Sequence, residues 1–151
     1  GVRRNVARSD AADRVITLDQ SRAESASADV VLLCLPLTEA TEDFADAAFL
    51  AQMKPGSLLI NVGRGGLVDE TALFAALDAG APAQAYLDVV REEPLSENSP
   101  IWTHPNIVLT PHISALTMGA QVRTDQVFLE NLQRFLDGKP LRNAVSSEVF
   151  A

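Results

Sequence analysis

The chain has 151 residues, a formal net charge of −8 at pH 7 and 47% hydrophobic residues, so it is long enough for about one domain with a sizeable core and too apolar for disorder. Its few basic residues are scattered, which argues against a nucleic-acid surface, because phosphate binding needs clustered Lys and Arg. No apolar run reaches the ~18 residues of a membrane span, and Gly1-Val2-Arg3-Arg4-Asn5 lacks the apolar stretch of a signal peptide.

Short β-like runs alternate with helical patterns. Val15-Ile16-Thr17-Leu18 reads as a short strand and Ser21 to Ala28 as a short helix. Asp29 leads into Val30-Val31-Leu32-Leu33-Cys34-Leu35, closed by Pro36, a continuous apolar run that fits a strand buried on both faces of a parallel sheet. Cys34 lies inside that run and reads as a small buried apolar residue. As the only cysteine it cannot form an intrachain disulfide, and a cytoplasmic setting is the simplest expectation. Phe44 to Met53 has helical spacing, stopped by Lys54-Pro55-Gly56-Ser57.

Leu58 to Val62 forms the next strand and leads into a glycine-rich turn. Asp69 caps a helix through Leu77, with Ala72, Leu73, Ala76 and Leu77 on one stripe and Gly80 as its stop. Ala83 to Val89 and Ile107 to Leu109 read as two further strands. From about Ala115 to Leu136 the pattern is helical again, closed by Gly138-Lys139-Pro140, and the tail from Leu141 to Ala151 is weakly patterned. Alternating strand and helix predicts an α/β fold with a mostly parallel, doubly wound sheet. The Gly-x-Gly-x-x-Gly loop that opens a dinucleotide-binding fold is not in this chain, whose first residues read as the end of that fold's second strand. Gly65-Gly66 lacks the spacing to replace it.

Three candidate residues each follow an apolar run. Arg64 lies in Asn61-Val62-Gly63-Arg64-Gly65-Gly66, Glu93 in Asp88-Val89-Val90-Arg91-Glu92-Glu93-Pro94-Leu95, and His112 in Thr110-Pro111-His112-Ile113-Ser114. Each should stand at a strand's carboxyl end, the edge where open α/β sheets bind ligands. Taken singly, Arg64 reads equally as a turn cap, His112 as a satisfied loop histidine and Glu93 as a solvated loop acid. Arg91 and Glu92 read as exposed, and His104, before Pro105, as a residue that shapes a loop. Two histidines and one cysteine at no ligand spacing predict no structural zinc site.

The markers Ala28-Asp29-Val30-Val31, Leu35-Pro36-Leu37-Thr38, Met53-Lys54-Pro55-Gly56, Asn61-Val62-Gly63-Arg64-Gly65, Leu87-Asp88-Val89, Glu93-Pro94-Leu95 and Thr110-Pro111-His112, in this order, resemble the D-2-hydroxyacid dehydrogenase family. Ser99 to Pro105 and His112 to Thr117 look most like its glyoxylate/hydroxypyruvate reductase branch. The resemblance implies a Rossmann-like sheet without its first strand and glycine loop. Residues 1–114 would be a partial dinucleotide-binding domain, and residues 115–151 a long helix and tail returning toward a substrate domain.

It implies roles as well. Arg64 would orient the carboxylate of a small 2-keto acid, His112 would donate the proton, and Glu93 would keep the imidazole charged. Asp88 would hold the nicotinamide carboxamide. Val62 and Gly63 would lie close to the cofactor, Leu35, Pro36 and Thr41 would wall its adenosine, and Ser114 would touch it beyond the histidine. Arg3 and Arg4 stand where an arginine suits a ribose 2′-phosphate, so NADP(H) is expected over NAD(H). The complete enzyme would be a homodimer with no nucleic-acid or membrane partner. Two other functions compete: an inactive nucleotide-binding module that keeps the three residues as relics, and a dimerisation module with exposed apolar surface.

Overall fold

The computed structural model describes residues 1–3 and 12–145. It divides into two compact units, Gly1–Pro111 and His112–Ala151. Arg4 lies outside the described residues.

In the first unit, Val2 and Ile16 form an isolated parallel bridge. The strand expected at Val15 to Leu18 is reduced to that bridge, and Leu18 instead opens helix α1 (Leu18–Ser25). The reason is a capping box: the Thr17 hydroxyl accepts from the Gln20 amide while the Gln20 side chain accepts from the Thr17 amide. This fixes the helix start ahead of the expected Ser21.

Strand β1 is Val30–Leu33, and helix α2 is Ala47–Gln52. The helix does not begin at Phe44, because Asp46 caps it by accepting from the Phe49 amide at 2.8 Å. Ala45 pairs instead with Val68 in a parallel bridge. Asp46 also takes a two-pronged contact from Arg22 of α1, at 3.0 and 3.1 Å, and the guanidinium lies over the Phe44 and Phe49 rings. Chiefly because of the Arg22 hydrogen bonds, the Asp46 carboxyl titrates below its ordinary range.

Strand β2 (Leu58–Asn61) leads to helix α3 (Glu70–Ala79). Asp69 caps α3 by accepting from the Thr71 and Ala72 amides, and Gly80, at φ 79°, ends it in the left-handed conformation. Strands β3 (Gln84–Leu87) and β4 (Ile107–Leu109) complete a parallel sheet in the order β1-β2-β3-β4. Leu33, Asn61, Leu87 and Leu109 are register partners across it, so the carboxyl ends of all four strands align.

The core lies on one face of this sheet. Leu33, Leu59, Ala85 and Leu87 pack with Phe49, Leu50 and Met53 around α2 and with Leu73 and Leu77 of α3. Fully burying each such leucine contributes roughly 1.5–3 kcal/mol. The expectation that β1 is buried on both faces is not met: Val30 and Leu32 are 52% and 54% exposed. Among the described residues β1 pairs only with β2, and its alternate side chains point away from α2 and α3. Cys34, just beyond β1, is exposed rather than buried. His104 does shape its loop: its Nδ1 accepts from the Asn106 amide at 3.2 Å, and the ring stacks on Phe74.

The second unit is built on helix α4 (Met118–Leu136). It starts at Met118 rather than near Ala115 because the Thr117 hydroxyl caps it, accepting from the Ala120 amide at 3.0 Å. No residue of α4 is buried, and Met118, Val122, Phe128, Leu129, Phe135 and Leu136 are each more than half exposed. The Asn131 side chain clasps Arg142, donating to its carbonyl at 3.1 Å and accepting from its amide at 2.7 Å. Among the described residues no helix is long and apolar enough to cross a membrane.

Candidate active site

The aligned register places the turns after β1, β2, β3 and β4 along one edge of the sheet. The turn after β2 carries Arg64 and is built by Asn61, whose side chain is 1% exposed. Asn61 Oδ1 accepts from the Gly63 amide at 3.1 Å, and its Nδ2 donates to the Arg64 carbonyl at 2.9 Å. An asparagine that bonds its own backbone two residues on turns the chain sharply. Arg64 itself is exposed, and its Nη1 donates to the Gly63 carbonyl at 2.7 Å.

The turn after β3 carries Glu93, which is exposed and accepts from the Val90 amide through Oε1 at 3.1 Å. The structure brings these two turns together. Gly65, next to Arg64, is packed so closely that an added Cβ would lie 1.9 Å from the Val90 carbonyl and 2.3 Å from the Arg91 amide nitrogen. Arg64 and Glu93 thus stand on turns in direct backbone contact.

Asp88, the first residue after β3, is 2% exposed. Its carboxylate accepts from the Thr110 hydroxyl beyond β4, and its amide donates to the Asn61 carbonyl at 3.0 Å. Gly63 packs against the Leu35 carbonyl and the Cys34 Cα, where a Cβ would come within 3.0 and 3.4 Å. Val62 donates its amide to the Leu33 carbonyl at 3.1 Å. Leu35 is half-buried and Pro36 exposed. The buried Thr41 donates its hydroxyl to the Pro36 carbonyl at 2.7 Å and accepts from the Thr38 amide at 2.8 Å, so it acts on the edge by shaping this loop. Arg3 is exposed just after the Val2 bridge, with its amide bonded to the Ile16 carbonyl.

His112 and Ser114 belong to the second unit and are described within it. His112 follows Pro111 directly and has φ 53°, in the left-handed region that few non-glycine residues adopt. Both residues are exposed. A held, unusual backbone conformation at a histidine is the kind of outlier found at functional positions.

A sequence model of the family described as "D-isomer specific 2-hydroxyacid dehydrogenase, NAD binding domain" matches residues 1–114. The chain belongs to the D-isomer specific 2-hydroxyacid dehydrogenase family. Among its relatives is the glyoxylate/hydroxypyruvate reductase B of Citrobacter koseri, 44% identical over 123 residues, which are 82% of this chain and 38% of that protein. The D-3-phosphoglycerate dehydrogenase of Archaeoglobus fulgidus is 40% identical over 121 residues, 80% of this chain and 23% of that protein. In three dimensions the chain resembles a D-isomer specific 2-hydroxyacid dehydrogenase from Xanthobacter autotrophicus Py2, solved with NADPH and MES. The TM-score is 0.86 at 33% identity, covering 99% of this chain and 61% of that one. The chain therefore spans less than half the length of these curated relatives and about three fifths of that solved chain. The α/β, Rossmann-like architecture is that of the family's nucleotide-binding domain.

The edge suits a nicotinamide nucleotide. The NAD-binding family model covers this edge, where the Asp88 carboxylate is buried against Thr110 and the Gly63 backbone packs on Leu35 and Cys34. Among the described residues no cluster of His, Cys, Asp and Glu could hold a metal ion. Sequence reasoning missed Asn61 as the builder of the Arg64 turn. Asn61 carried a usable signal, a polar residue closing an apolar strand two positions before a glycine.

Proposed function

We propose that the complete protein is an NAD(P)-dependent oxidoreductase that reduces a small 2-keto acid, of the glyoxylate or hydroxypyruvate kind, to the 2-hydroxy acid. The observation that carries this reading is the backbone contact of the Arg64 and Glu93 turns at the carboxyl edge of a parallel sheet. Arg64 offers a planar fork that grips the substrate carboxylate and stabilises charge growing on the carbonyl oxygen. His112 would donate a proton to that oxygen, with Glu93 as its proposed carboxylate partner. The nicotinamide cofactor, when bound, supplies hydride to the carbonyl carbon. Asp88 would hold its carboxamide. Val62, Gly63, Leu35, Pro36, Ser114 and the Thr41-shaped loop would line the rest of its site.

His112→Gln in the complete enzyme tests this reading with glyoxylate as substrate. Turnover should fall at least ~100-fold while cofactor binding stays nearly intact. Unchanged turnover would remove His112 from the chemistry. A complete wild-type protein that binds cofactor but reduces no 2-keto acid would instead be a nucleotide-binding module.

NADP(H) is the preferred cofactor in this proposal, supported by Arg3 near the end of the Val2 bridge. Arg3→Ser should lower kcat/KM for NADPH relative to NADH, and a wild-type enzyme that uses NADH as efficiently as NADPH would refute the preference. The complete enzyme is further proposed to be a cytoplasmic homodimer, and the exposed apolar face of α4 supports the association.

A further inference from the structure

Arg91 looks at first like an ordinary surface residue, with its side chain 40% exposed. It nevertheless ties three segments together. Its guanidinium pairs with Asp43, lies 3.5 Å from Glu42 and donates to the Val68 carbonyl at 3.3 Å. Its amide donates to Glu70 Oε1 at 2.8 Å. Glu42 and Asp43 lie between β1 and α2, Val68 and Glu70 follow the Arg64 turn, and Arg91 lies two residues before Glu93. The first two segments also bond each other, the Asp43 amide to the Gly66 carbonyl at 2.9 Å and the Ala45 amide to the Leu67 carbonyl at 2.9 Å. Arg91 therefore closes a ring of loops that rises from β1, β2 and β3.

Exposed ion pairs contribute little to stability, so this ring is a poor device for holding the fold. It is well suited to holding a geometry. The guanidinium's three partners and the amide's fourth tie the Glu93 turn to the segments flanking the Arg64 turn, beside the close Gly65–Val90 contact.

We infer that Arg91 is a positioning residue that keeps Glu93 in register with Arg64. This rests on the 2-keto acid reductase reading above. The test uses the complete enzyme with Arg91→Ala and Arg91→Lys, measuring kcat and KM for the keto acid, Kd for the nucleotide, and Tm. Rates are normalised to nucleotide-binding sites, so that loss of folded protein is not read as loss of catalysis. Misplacing a reacting group by about 1 Å costs on the order of 100-fold, so Arg91→Ala should lower kcat about 10-fold or more. Nucleotide Kd should change far less than kcat, because Thr41 still holds the neighbouring loop through its own bonds to Pro36 and Thr38. Arg91→Lys should recover part of kcat, since it keeps the charge toward Asp43 and Glu42 without the planar fork. A normalised kcat unchanged in Arg91→Ala, with only Tm lowered, would overturn the inference alone. A wild-type enzyme that reduces no 2-keto acid would overturn it together with the functional reading.

Discussion

Gly65→Ala probes the contact on which the site is built. The new Cβ would sit 1.9 Å from both the carbonyl carbon and oxygen of Val90 and 2.3 Å from the Arg91 nitrogen. Ordinary contacts between such atoms are about 3.5–4 Å, so the two turns must part by roughly 1.5 Å or more. Neither turn is free to move. The Val90 and Arg91 amides are bonded to Glu93 and Glu70, and the Arg64 carbonyl is bonded to the buried Asn61. Overpacking against fixed neighbours costs typically 1–3 kcal/mol, and backbone on both sides puts this case near 3. For a domain of this size each kcal/mol moves Tm by about 2–4 °C, so Tm should fall roughly 6–12 °C in a calorimetric or circular-dichroism melt. In the complete enzyme, kcat/KM should drop on the order of 100-fold as Arg64 and Glu93 separate. Gly119→Ala is the control, because its Cβ meets only the tip of the Arg123 guanidinium at 3.0 Å, and it should be neutral or stabilising by up to about 1 kcal/mol. A Gly65→Ala protein that melts within a degree of wild type and turns over normally would refute the close approach.

Asn61→Asp keeps the acceptor for the Gly63 amide but replaces the donor to the Arg64 carbonyl with a buried carboxylate. Stability at pH 7 should fall by about 2–3 kcal/mol. That deficit should shrink on acidification toward about pH 4, where the carboxyl gains a proton it can donate, and a pH-independent deficit would contradict the bond to Arg64. Asp46→Ala removes the α2 cap and the partner of Arg22. A cap contributes about 1 kcal/mol and a half-exposed pair less, so the loss at pH 7 should be about 1–2 kcal/mol. The folded Asp46 carboxyl titrates below its unfolded value of about 3.9, so wild type loses this advantage as pH falls through that value and lower. Melts of wild type and variant should therefore converge below about pH 4, and a constant gap would assign the whole effect to lost packing.

Local signals located the elements where the sequence carried strong ones. Ile107–Leu109 and the Asp69-capped, Gly80-stopped helix stand where the pattern put them, because apolar runs, caps and stops act within a few residues. Boundaries failed where a cap competed with an apolar run. Thr17 with Gln20 claimed Leu18 for α1, and Asp46 released Phe44 and Ala45 to the turn against Val68. The exposure of Val30, Leu32 and Cys34 was not legible either, because an apolar run does not say which of its neighbours are at hand to cover it.

By itself the sequence determined the alternation of strand and helix, the family, and the residue types at the strand ends, since all of these follow from short-range pattern and motif order. The tertiary structure alone decided that Leu33, Asn61, Leu87 and Leu109 end in register. It also decided that Gly65 lies on Val90, and that Arg91 reaches Asp43 and Val68. Those contacts join residues more than twenty positions apart, and parallel pairing together with helix packing, rather than any local preference, sets which distant backbones meet.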